Sequence, residues 1–243
     1  MPYSDLCREK ILSEDYHDFI VSDIRMPFLQ DMLEKDCCLQ NPGFFYQCAY
    51  LSKSVIKPVS LENYSYFSIP KCYSLLSMQA LNQAGILPIQ NHSTIQLSGK
   101  QVMIGFLDTG IDYQNPVFQH LDKTTRIAGI WDQTIQSGTP PESFDYGSHY
   151  TPDMINEALA SEDPYSLVPS VDNNGHGTFL ASIAAGSGDP DAQFIGAAPE
   201  SVIAVVKLKQ AKQYLRDYYF IPNTAPAFQE NDIMLGMRYL HLL

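Results

Sequence analysis

Val102-Met103-Ile104-Gly105-Phe106-Leu107 is a nearly unbroken apolar run closed by Asp108. Half-exposed strands alternate apolar and polar residues. A short unbroken run is the pattern of a strand covered on both faces, as in parallel sheets flanked by helices. Val202 to Val206 repeats the pattern, and Arg126 to Trp131 reads as a third strand. Between these strands, Phe179, Leu180, Ile183 and Ala184 recur at helical spacing, with Gly186 as a stop signal. Alanines 181, 184 and 185 allow that helix to lie close against a sheet. Strands alternating with a helix predict an α/β domain with a parallel sheet at its centre.

The chain has 243 residues, enough for one mid-sized domain and a smaller one. Residues 1–88 read as a small α+β domain and residues 89–243 as the α/β part. In the first, His17 to Val21 and Phe44 to Leu51 predict strands, Met26 to Lys35 an amphipathic helix, and Leu75 to Gly85 a short helix. Tyr64 to Pro70 reads as extended. In the second, residues 132–172 read as a long polar surface insertion, interrupted by a helix that Thr151 and Pro152 start well. From about Phe228 the apolar residues Ile233, Met234, Met237 and Leu240 recur at helical spacing, which predicts a helix. It runs into Leu243 without a stop signal, so the chain is expected to continue further.

A formal charge of −12 without a basic patch argues against a nucleic-acid partner. No stretch is long and apolar enough for a membrane helix. The five cysteines, at 7, 37, 38, 48 and 72, are odd in number and lack zinc-site spacing, so they are expected to be reduced and packed as small apolar groups. The first residues lack a secretory leader pattern, which points to cytoplasmic synthesis and leaves extracellular association open.

Two residues carry the chemistry. Asp108 closes a parallel strand, where open α/β sheets place their sites. His176 follows the polar turn Asp172-Asn173-Asn174-Gly175 and opens the alanine-rich helix. The positive end of the helix dipole disfavours imidazolium there, which suits a base that is neutral at rest and needs a carboxylate when it takes a proton. Asp108-Thr109-Gly110 is also the signature of aspartic peptidases, but those need a second such carboxylate close by, and one motif is present. His17, His92, His120, His149 and His241 form no pattern.

The segment Val102 to Asp112 resembles the aspartate motif of the subtilisin-like serine peptidases, the subtilases, and Asp172 to Thr178 resembles their histidine motif. Gly196-Ala197-Ala198-Pro199 and the strand after it are similar to the family's Gly-x-Ala-Pro turn. The first 88 residues, the 131–150 insertion and the 211–217 segment resemble the Csp proteases of spore germination. The resemblance implies a serine endopeptidase acting on protein or peptide substrates through an acyl-enzyme. Asp108 would hold His176 through Nδ1 and His176 would act as base. It further implies that residues 1–88 are a propeptide that assists folding and lays a tail, near Tyr64 to Pro70, in the cleft. No cofactor is required. Calcium is an option, since the family binds it near the loop that is here 186–191, and Asp172, Asp189 and Asp191 offer oxygen ligands.

One departure is large. The Gly-Thr-Ser-x-(Ala or Pro) nucleophile motif is missing from these 243 residues. Ser182 and Ser187 lie on or just after the histidine's own helix. The serine is therefore expected beyond residue 243, and residues 1–243 alone are expected to be inactive. The alternative is a pseudoprotease that binds and regulates during spore germination.

Overall fold

The computed structural model describes residues 5–22, 36–43, 45–73, 98–188 and 195–243. In chain order its elements are α1 (Asp5–Leu12), β1 (Tyr16–Ser22), β2 (Cys37–Gly43), β3 (Tyr46–Ser52), β4 (Cys72–Tyr73), β5 (Met103–Asp108), β6 (Ile127–Asp132), β7 (Ser148–Tyr150), α2 (Pro152–Ala160), α3 (Pro164–Leu167), α4 (His176–Ala185), β8 (Val202–Lys207), α5 (Gln213–Tyr218), β9 (Phe228–Gln229) and α6 (Glu230–Leu242). The chain divides into two compact units, each assembled from separate stretches of sequence. The helices expected at 26–35 and 75–85 lie outside the described residues.

One unit takes residues from 75–138 and 148–208. Its sheet has the order β5-β8-β6-β7, with β5, β8 and β6 parallel and β7 antiparallel. The class is α/β, as the apolar runs indicated. Strand β8 is central and buried from Ile203 to Val206. Strand β5 differs from expectation: it pairs only with β8 among the described residues, and Val102 and Met103 are 53% and 40% exposed. An apolar run alone does not distinguish a central strand from one with a single described neighbour.

Helix α4 meets the expectation that its alanines let it lie close against the sheet. Its buried face is Gly177, Ala181 and Ala185, one step every four residues, while Phe179 is exposed. The small residues face the core because the helix lies too close to the sheet for anything larger. Its far end is held by Arg126, whose guanidinium donates to the carbonyls of Ala185, Val117 and Ser201. Those bonds satisfy a carbonyl that the helix terminus would otherwise leave unpaired. Thr151 caps α2 by accepting from the Met154 amide, as its position before Pro152 suggested.

The other unit gathers residues from 1–74, 139–147 and 209–242. An antiparallel sheet, β1-β3-β2, packs with α1 and α6. Phe19, Val21, Ala49 and Leu51 form its apolar centre. Residues 139–147, expected to be surface insertion, bring Phe144, Asp145 and Tyr146 into this unit, all buried. Tyr64 to Pro70 is not uniformly extended, since Tyr66–Ser68 forms a 3-10 turn.

Helix α6 buries Asn231, Asp232, Leu235 and Tyr239, whereas Met237 is 53% exposed. The residues that recur at helical spacing are thus not its buried ones. The helix instead presents polar groups to a buried network. Asp18 on β1 pairs with Lys212 Nζ at 2.5 Å and accepts from Gln229 Nε2 at 2.6 Å and Asn231 Nδ2 at 3.0 Å. Lys209 pairs with Asp232 at 2.6 Å, and Tyr146 donates to the same carboxylate. Tyr214 stacks on His17 and donates to the Asp18 carbonyl, so both belong to the packing of this unit. The expectation of five reduced cysteines is corrected as well: Cys7 and Cys38 form a disulfide between α1 and β2.

Candidate active site

At the carboxyl end of the parallel sheet, Asp108, Lys207 and Asp132 stand in register on β5, β8 and β6. Asp108 is buried, and its Oδ1 lies 2.8 Å from His176 Nδ1. The same oxygen accepts from the Thr109 amide at 2.7 Å. A carboxylate can only accept, so the contact keeps a hydrogen on Nδ1 and leaves Nε2 as the basic atom of a neutral ring. Asp108 and His176, separated in sequence, are therefore brought into direct contact.

The approach depends on glycines. A Cβ on Gly177 would stand 2.2 Å from the Gly110 carbonyl oxygen and 3.2 Å from Asp108 Cβ. Gly110 has φ +122°, a conformation that side chains resist, and a Cβ there would press on Lys207 at 3.1 Å. With both positions free of Cβ, the first turn of α4 rests directly on the strand end that carries Asp108.

The residue that clamps this arrangement is Asp172. Its Oδ1 accepts from Thr109 Oγ1 at 2.7 Å and from the Gly175 amide at 2.9 Å. Its Oδ2 accepts from the Thr178 amide at 2.9 Å and Thr178 Oγ1 at 2.7 Å. Each threonine hydroxyl spends its proton on Asp172 and accepts a backbone amide in return. Thr109 takes that of Gly177 and Thr178 that of Asp112. Two amides of the first helical turn, otherwise unpaired, are satisfied in this way. Burial pushes the Asp172 carboxyl up. The bonds from Thr178, Thr109 and Gly175 more than reverse this, so its pKa lies below the usual carboxylate value.

Asp172 is thus occupied by protein donors and is not an open loop ligand for the optional calcium. Asp189 and Asp191 lie outside the described residues. Sequence reasoning singled out Asp108 and His176 and missed the clamp, since the N-cap is Gly175 and offers no side-chain capping pattern. A second polar knot was also missed. Buried Asp132 pairs with Lys207 at 3.2 Å and accepts from Ser170 and Thr134. Ser182 and Ser187 donate to the carbonyls of Thr178 and Val117.

This is an α/β domain with a carboxylate–imidazole pair at the carboxyl end of its parallel strands. The model of the subtilase family, peptidase family S8, matches residues 99–231, and the chain belongs to that family. It is 32% identical over 131 residues to the subtilisin-like protease SBT2.2 of Arabidopsis thaliana, covering 46% of this chain and 15% of that protein. It is 30% identical over 132 residues to SBT2.1 of the same plant, with the same coverage. Among solved structures it resembles the CspB protease of Clostridium perfringens, with TM-score 0.50 and 35% identity over 64% of this chain and 28% of that one. The chain thus spans 15% of the plant relatives' length and 28% of the clostridial chain.

Proposed function

We propose that this chain carries the acid–base half of a serine endopeptidase site. His176 Nε2 takes the proton of a serine hydroxyl as that oxygen attacks a peptide carbonyl, then returns it to the leaving amine. Asp108 holds the ring in the required tautomer and stabilises the imidazolium between the two steps. The nucleophile comes from outside residues 1–243, which lack the serine motif. The observation that carries the reading is the 2.8 Å contact between Nδ1 and Asp108, made by residues inside the stretch that the family model matches. Calcium has no support from the described residues beyond family habit.

Residues 1–88 serve in this proposal as a propeptide-like segment. Support comes from the sheet β1-β3-β2 and from the bonds joining Asp18 to Lys212, Gln229 and Asn231.

The test uses a protein that contains these residues and any coding sequence following them. A fluorophosphonate that reacts with activated serines is expected to label wild type. Asp108→Asn is expected to label about 10⁴-fold more slowly, in line with the cost of a wrong imidazole tautomer, and His176→Ala not detectably. Absence of labelling in the folded wild type overturns the enzyme reading in favour of a pseudoprotease.

A further inference from the structure

The Cys7–Cys38 disulfide does not stand alone. The two sulfurs and a carboxylate oxygen of Asp145 all lie within 4.8 Å of one another. These three residues come from α1, β2 and the 139–147 segment of one unit. Asp145 and its neighbour Gln40 are 7% and 5% exposed. Gln40 Nε2 donates to Asp145 Oδ2 at 2.7 Å. That single bond leaves Asp145 Oδ1 and Gln40 Oε1 buried without a donor. Unsatisfied buried acceptors are costly, and two side by side next to paired sulfurs need a cation or a proton source.

We propose that this cluster is a redox-gated binding site for a zinc-class divalent ion. In the oxidised state the sulfurs are joined and offer no charge. Exchange with two monothiols transfers two electrons and two protons to the pair, giving two cysteine thiols and one disulfide of the monothiols. A divalent ion then displaces the two thiol protons and is held by Cys7 Sγ, Cys38 Sγ and Asp145. A fourth position is left for water or an amide oxygen. Two thiolates with one carboxylate suit zinc rather than magnesium or calcium, which prefer oxygen ligands throughout. The ion would replace the covalent link between α1 and β2 with a coordinate one. The N-terminal part of this unit would then stay tied in both oxidising and reducing surroundings.

Cobalt(II) is the probe, since thiolate ligation gives a charge-transfer band in the near ultraviolet. The reduced chain, freed of reductant without air, is expected to bind one equivalent with that band, and zinc should bleach it. The oxidised chain should show none. Cys7→Ser and Cys38→Ser should each weaken the band and lower affinity, whereas Cys48→Ser and Cys72→Ser should leave it. Asp145→Asn, which keeps the side chain's shape, should weaken binding at least about tenfold, the scale of losing even a supporting group. If reduction unfolds the unit, cobalt should restore its far-ultraviolet circular dichroism. The proposal is overturned by a folded, reduced chain without the band, by a band that survives Cys7→Ser, by an affinity untouched in Asp145→Asn, or by a reduced, unfolded chain that cobalt does not refold.

Discussion

At the scale of single residues, the site is a problem of holding one imidazole beside one carboxylate. The contact between Asp108 and His176 was legible because an acid at a strand end and a histidine at a helix start predict it. Asp172 was not, because its role appears only when Thr109, distant in sequence, is folded back beside it. Its five protein donors, the Asn174 amide among them, give a direct prediction. Asp172→Asn retains the shape but replaces one acceptor oxygen with a donor, so one threonine hydroxyl and at least one amide lose their acceptor. We expect a loss of about 1–3 kcal/mol, the cost of leaving buried donors unpaired. The pH dependence has a definite sign. The folded pKa is depressed, so the stability from this ionisation is complete above the unfolded value of about 4. It drains as pH falls through the lower folded pKa. Urea titrations from pH 6 to pH 2 should show wild type losing stability below about 4. The Asp172→Asn variant should start lower and fall less. Parallel curves for the two proteins would mean that Asp172 does not titrate as a clamp.

At the scale of elements, the central strand and the strand before the insertion were readable from β-run composition, and the ends of α4 from His176 and Gly186. The close approach of α4 was readable too, from its alanines, of which Ala181 and Ala185 are buried. One helix face was not. Periodicity marks which residues share a face, yet it ranks faces by hydrophobicity, and α6 buries polar groups as well. In α6 the reason is charge, because Asn231 and Asp232 complete a network whose other members lie on β1, on β9, in the 139–147 segment and just before α5. A polar residue inside an apolar pattern gives no sign of its partner. The Asp18–Lys212 pair at the centre of that network yields a second prediction. Asp18→Ala should cost about 3–5 kcal/mol by stranding a buried ammonium. Burial lowers the Lys212 pKa, so the lone amine would shed its proton more readily. The double variant Asp18→Leu with Lys212→Met should recover much of the loss. Chemical denaturation of the three variants would measure this, and a double variant no better than Asp18→Ala would show that specific bonds to Gln229 and Asn231 outweigh desolvation.

At the scale of the whole molecule, the chain returns more than once to a unit it has already entered. The sequence reading cuts at residue 88, and the unit containing β1, β2 and β3 also contains residues 139–147 and 209–242. The strands built by the first 52 residues share their buried network with α5, β9 and α6. A separate polypeptide of residues 89–243 would retain the core of the parallel-sheet unit, from Ile127 and Ile130 to Ile203 and Val205. It would lose Asp18, leaving Lys212, Gln229 and Asn231 without their shared acceptor. At about 1–3 kcal/mol for each unsatisfied group, that loss is of the same order as the roughly 5–15 kcal/mol stability of an average domain. We therefore expect residues 89–243 alone to bind a hydrophobic dye and to melt without a sharp transition. Adding residues 1–88 as a second polypeptide should suppress the dye signal and restore a cooperative melt at equimolar mixture. The Asp18→Ala version of the added piece should do so poorly. A sharp melt of residues 89–243 by themselves, at the midpoint of the intact chain, would show that the N-terminal segment rests on the remainder without supporting it, and the propeptide-like role in folding would then fall.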